Sequence, residues 1–150
     1  MIAVFITATA LVALLAAMAP LFASEFFKRD EIIATGLAQE GIEMTRNLRD
    51  RNWKASQPGF GGSFPADGTY CKDSAATSFA ACSASNQHLT PDNNTGLYKT
   101  DGSGAGKFQR TITIATSGSD RVVTSVVSFV SGGSTHQVTL KSTLTDWGNK

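Results

Sequence analysis

The sequence predicts an α+β fold: a long N-terminal α-helix, apolar in its first half and amphipathic in its second, packed on a small antiparallel β-sheet head. Three observations support this reading. Residues 1–24 contain no Asp, Glu, Lys, Arg or His, and the first charge in the chain is Glu25. Apolar residues then keep a helical spacing to about Lys54. In the last third the pattern changes to alternation, the period of strands that bury one face. The 150 residues divide accordingly into an apolar helix (1–24), its amphipathic continuation (25–56) and a globular head (57–150).

At about 1.5 Å per residue, Ile2 to Ala23 covers roughly 33 Å, against a hydrocarbon core of about 30 Å. Three fates suit such a segment: a cleaved secretory signal, a permanent single-pass anchor, or a helix that leaves the bilayer and packs inside a filament. A signal should show a basic residue ahead of the apolar run, and none is present. Small residues favour packing. Thr9, Ala13 and Ala17 lie four apart, as do Ala19 and Ala23, and such ridges let helix backbones approach closely. Thr7 and Thr9 can return their hydroxyls to carbonyls one turn earlier. Pro20 lacks an amide donor and crowds the carbonyl of Ala16, so a kink or melted turn is expected around Ala16–Pro20.

Ile33, Leu37, Gly41, Met44 and Leu48 recur at four, four, three and four residues, one helical stripe. Ile33, Leu37, Met44 and Leu48 are expected to pack on the sheet. Gln39, Glu40, Glu43, Arg46 and Asp50 occupy the opposite face and read as solvated. Arg46, Arg49, Arg51 and Lys54 crowd the C-terminal end, where cations suit the helix dipole, and Pro58-Gly59 stops the helix.

Residues 57–106 carry little periodic signal and many turn-forming types. Phe60, Phe64, Tyr70, Phe79, Leu89, Leu97 and Tyr98 are spaced singly and read as anchors that tack a long loop onto the core. Cys71 and Cys82, with ten residues between them in this loop, can close a disulfide or remain two free thiols. The disulfide is preferred for an anchored domain facing an oxidising compartment, and it would pin the loop. Downstream, Phe108, Arg110, Ile112 and Ile114 alternate with Gln109, Thr111 and Thr113. Arg121–Ser131 is Val-rich on both faces and reads as a central strand, and Ser131-Gly132-Gly133-Ser134 as a hairpin turn. His136, Val138, Leu140 and Leu144 alternate again, giving a meander of three or four strands, with Trp147 closing its edge.

No catalytic constellation emerges, and the chain reads as a non-enzyme without a cofactor or metal. His88 and His136 are isolated in sequence, and no Asp-x-Asp-x-Asp-Gly calcium loop is present. Gly102-x-Gly104-x-Gly106 lacks the Lys-Ser/Thr of a phosphate loop and reads as a flexible turn. Asn93-Asn94-Thr95 fits the glycosylation acceptor pattern and also an ordinary turn. A net charge of +1 supplies no field that recommends DNA, which stays open as a partner without support from charge.

The segment Leu37-Ala-Gln-Glu-Gly-Ile-Glu-Met-Thr-Arg-Asn-Leu-Arg-Asp-Arg-Asn-Trp53 resembles type IV pilins and the pseudopilins of secretion systems. Phe108-Gln-Arg-Thr-Ile-Thr-Ile114 and Val138-Thr-Leu-Lys-Ser-Thr-Leu-Thr-Asp-Trp147 carry the same likeness. The resemblance implies a structural subunit of an extracellular pilus-like filament, resident in the cytoplasmic membrane before assembly. Its expected partners are copies of itself, other pilins, the assembly machinery, and external surfaces or cells met through the Gly/Ser/Thr-rich loop. Met1, Phe5, Thr7, Thr9, Ala13, Ala17 and Pro20 would then pack in the filament core. One departure stands out: Phe5 occupies the place where the family usually carries a glutamate that pairs with a neighbour's N-terminal amine. Thr7 or Thr9 of a neighbour is expected to accept from that amine instead. A minor pilin or pseudopilin, or a single-pass anchored binding domain that never polymerises, are the alternatives.

Overall fold

The computed structural model describes residues 2–74, 76, 78–100, 102 and 104–146, and only the backbone of 19–23. Helix α1 is assigned over Ile2–Lys54. Seven strands follow: β1 (Gly68–Cys71), β2 (Ala80–Ala81), β3 (His88–Pro91), β4 (Tyr98–Lys99), β5 (Phe108–Ser117), β6 (Asp120–Ser131) and β7 (Ser134–Leu144).

The three long strands form the meander that alternation predicts. Strand β6 lies between β5 and β7 and pairs antiparallel with both along its length. Two-residue turns join them, and Gly132 and Gly133 at φ 60 and 78 supply the left-handed backbone that such a turn needs. The other edge of β5 is shared: β1 pairs with Ile112–Ile114 and β3 with Phe108–Gln109, while β2 and β4 extend β1 and β3 outward.

The expected architecture, a long helix with an apolar half on a small sheet, is therefore corrected. The sheet is a curled, seven-stranded antiparallel one, and β1 to β4 come from the very region that lacked periodicity. Each of those strands spans two to four residues, too few for alternation to register. The helix is also not one apolar rod against a sheet. The fully described stretches are 2–18 and 24–54, and only the second meets the strands. The bend expected at Ala16–Pro20 abuts residues 19–23 and lies partly outside the described residues, as does the expected edge position of Trp147.

The core has two lobes. Ala34, Leu37, Ala38, Leu89, Phe108, Val127 and Phe129 form one; Ile42, Leu48, Phe64, Ile112, Ile114, Val123 and Leu144 form the other. Leu140 touches both. Between them lies a polar layer where the helix comes closest to the sheet. A Cβ at Gly41 would sit 2.5 Å from Ser125 Oγ and 3.3 Å from Ile112 Cδ1, so only glycine fits. Thr45 is fully buried and donates its hydroxyl to Gly41 O, 3.1 Å away.

Arg110 occupies the same level and is 1% exposed. Its guanidinium donates to Leu37 O (3.1 Å) and Glu40 Oε2 (2.7 Å) on the helix, and to Lys72 O (2.5 Å) after β1. Burying a guanidinium is costly unless it is paired, and these partners supply the pairing. Glu40, read from sequence as solvated, is thus the helix's ionic tie to the sheet, and it also accepts from Ser74 Oγ at 2.5 Å.

Two consequences follow for stability. Gly41→Ala should lower it by about 1–3 kcal/mol in denaturant melts through overpacking, whereas Gly36→Ala, with nothing within 4 Å of the new methyl, should raise it by about 0.5–1 kcal/mol. Glu40→Gln should cost about 2–3 kcal/mol by leaving the buried guanidinium without its counter-charge, and adding Arg110→Met should recover part of that loss.

Candidate functional site

The described part of the apolar segment, Ile2–Met18, is exposed throughout. Ile2 is 79% exposed and Phe5 71%; Val4, Ile6, Leu11, Val12, Leu14, Leu15 and Met18 are exposed as well. A surface of this kind on a folded chain marks a contact with another apolar phase. The segment is helical because it is rich in Ala and Leu and holds its few polar groups internally. Thr7 Oγ1 donates to Val4 O, and Thr9 Oγ1 to Phe5 O and Ile6 O, each at 3.0 Å.

Among the residues assigned to filament packing, Phe5, Thr7, Thr9, Ala13 and Ala17 are all exposed along this helix. Phe5, Ala8, Thr9, Val12, Ala13 and Ala16 border one shallow groove. The sequence reading named Phe5, Thr9 and Ala13 of this set but missed Ala8, Val12 and Ala16. The signal was the spacing 5, 9, 12, 16, the same three-and-four rhythm as the stripe further along. Met1, Pro20 and the ridge Ala19–Ala23 lie outside the described residues or side chains. Among the described residues no helix is long and apolar enough to cross a membrane; the expected span, 2–23, includes the side chains of 19–23.

The sheet-facing residues divide differently. Leu37 (5% exposed) and Leu48 (4%) are buried, while Ile33 and Met44 are half-buried at the flank. The buried seam also contains Asp30, Ala34, Ala38, Ile42, Thr45, Arg49 and Asn52. It is turned by roughly 60° from the predicted stripe, less than the 100° step between successive residues. The predicted stripe shares Leu37, Gly41 and Leu48 with the seam, but in place of Ile33 and Met44 the sheet covers Ala34, Ala38 and Thr45.

The polar ends of this seam are held individually. Asp30 Oδ2 accepts from Lys107 Nζ at 2.6 Å. Arg49 donates to Thr145 O at 3.2 Å and lies 4.4 Å from the centre of the Trp53 ring, and Trp53 Nε1 donates to Asp146 Oδ1 at 3.0 Å. Asn52 Nδ2 donates to Gly59 O and Gly61 O, fastening the turn that ends the helix.

Cys71 and Cys82 form a disulfide, with Cα atoms 4.8 Å apart. The loop they close lies against the helix and carries Phe79, whose ring meets Tyr70 edge-on. His88 Nδ1 lies 2.9 Å from Gly106 O and its Nε2 3.1 Å from Gln109 Nε2; His136 meets the Phe27 ring edge-on and lies tilted against Phe129. Among the described residues no group of three His, Cys, Asp or Glu side chains converges as metal ligands.

The β3–β4 connection is organised by Asp92. Its carboxylate accepts from Lys99 Nζ (2.5 Å), the Asn94 amide (2.9 Å) and Thr95 Oγ1 (3.0 Å), which together hold its pKa at about 2, below the ordinary 3.8. A carboxylate with a depressed pKa adds stability above its unfolded value and loses it as pH falls through the folded one. The stability advantage of the native chain over Asp92→Asn should accordingly be full above about pH 4 and close toward pH 2, as read by urea melts across that range.

Comparison of the chain with protein-family models, with curated proteins and with solved structures finds no match.

Proposed function

We propose that the chain is a structural subunit of an extracellular, type IV pilus-like filament. The observation that carries this reading is the exposed apolar surface of Ile2–Met18, set beside a head whose own core is closed without it. Apolar contact among copies of the helix would cover that surface. The groove bordered by Phe5, Ala8, Thr9, Val12, Ala13 and Ala16 has small residues at its base, which permits close backbone approach. A heterologous contact repeated with a fixed rotation generates an open helical polymer, so each contact can be modest. Before assembly the charge-free segment 1–24 rests in the cytoplasmic membrane, from which an assembly machine withdraws it. Other subunits of the same kind, and surfaces or cells met by the Gly/Ser/Thr-rich loop, complete the set of partners.

The test introduces a carboxylate into the groove. Ala13→Glu or Val12→Asp should cost about 3 kcal/mol in each helix contact, roughly a hundredfold. Filaments sheared from cells should vanish from the supernatant for these variants and persist for Gln137→Glu, an exposed head position. Normal yield of filaments from the groove variants would refute the reading. So would retention of the native chain in the membrane fraction after shearing, which is the behaviour of a permanently anchored binding domain.

A further inference from the structure

Between the C-terminal half of α1 and the disulfide loop lies a pocket of about 240 Å³, lined by Met44, Asn47, Leu48, Arg51, Lys72 and Phe79, with Ala76 at its rim. Two cations reach it, and among the described residues no carboxylate lines it. Arg51 is exposed and, among the described residues, makes no ion pair, unlike Arg46 with Glu43, Arg49 with Asp50 and Arg110 with Glu40. Lys72 is half-buried; its ammonium lies 5.6 Å from the centre of the Phe79 ring and donates to Ala76 O. The acids that act on Lys72, Asp73 and Glu40, already have other partners. Glu40 is spent on Arg110 and Ser74, and Asp73 accepts from Ala76 N and from the backbone and hydroxyl of Thr100.

The electrostatics agree with the geometry. Burial is the largest influence on Lys72 and lowers its pKa; Asp73 and Glu40 oppose this, while Arg51 and Arg110 add to it. A partly desolvated ammonium beside a second cation is relieved when an anion enters. The guanidinium fork of Arg51 matches the two oxygens of a carboxylate or phosphate, and Lys72 adds a point charge. Asn47 offers an amide, and Met44, Leu48 and Phe79 form an apolar wall, so the site suits an oxyanion borne on a small organic body.

We propose that this pocket binds a small organic oxyanion, a carboxylate or phosphate carried on a ring, between Arg51 and Lys72. The site is independent of the filament helix, and its test does not depend on polymerisation.

The full chain in detergent micelles, labelled with nitrogen-15, is titrated at low salt with glucuronate, glucose 6-phosphate, inorganic phosphate and glucose, following the amides of residues 44–51 and 72–79. Glucuronate, glucose 6-phosphate or both should bind saturably, and the tighter of the two identifies the carboxylate or the phosphate as the preferred group. Glucose should not bind, and inorganic phosphate should bind more weakly for want of the apolar wall. Arg51→Gln and Lys72→Gln should each weaken binding by roughly tenfold with the thermal midpoint unmoved, and Arg51→Lys should restore only part of it. Absence of saturable binding by both charged sugars, equal binding of glucose, equal binding of inorganic phosphate, or indifference to both Gln variants would overturn the proposal.

Discussion

The head is organised around the guanidinium of Arg110, buried at the level where helix and sheet meet. Arg110 stands on β5, at a position where alternation demands an inward-facing side chain, and a charge there must find partners or it cannot stay. It finds a helix carbonyl, a helix carboxylate and a carbonyl beyond β1. Those three contacts fix where the helix lies along the sheet and bring the start of the disulfide loop to the same point. The two apolar lobes above and below this level are interchangeable oil by comparison. Neither could specify which turn of the helix opposes which residue of β5, because Leu, Ile, Val and Phe tolerate small slips. The charge does not, and the glycine at position 41 closes the gap that the charge defines.

Legibility in the sequence followed the length of each pattern. Strands β5, β6 and β7 run for ten to twelve residues, and alternation exposed them along with their turns. The helical stretch 24–54 was equally open to view, because charge and period agree over many turns. Strands β1 to β4 were not, since a strand of two or four residues is held by its neighbours rather than by its own composition. The cysteine pair could be named but not settled, because spacing permits a bridge without requiring one. The rotation of the helix was missed for a different reason. Hydrophobicity ranks Ile33 and Met44 above Ala34 and Thr45, while close packing ranks them the other way. Glu40 was missed because a half-exposed carboxylate looks the same in sequence whether it faces water or a buried arginine.

The N-terminal apolar helix and the head obey different chemistry. The head buries apolar surface internally, and several of its charged groups are paired: Asp30 with Lys107, Asp92 with Lys99, Glu40 with Arg110. Residues 2–18 do neither, since they carry no charged side chain to match and join no core among the described residues. The exposed apolar surface of this helix was written in composition alone. Its detailed groove was not, because small residues that matter for contact carry almost no hydrophobic signal.

The helix is made first and its seat last. Glu40 and Arg110 are separated by 70 positions, and Arg49 and Thr145 by 96. At a synthesis rate of 5–20 residues per second, the first of those separations alone corresponds to roughly 4–14 s during which the seam from Ala34 to Leu48 has no sheet to cover it. Contacts of such long range also slow the docking itself. The nascent chain is consequently at its most aggregation-prone before β6 and β7 exist, and whatever first shelters the emerging helix governs the yield of folded molecules.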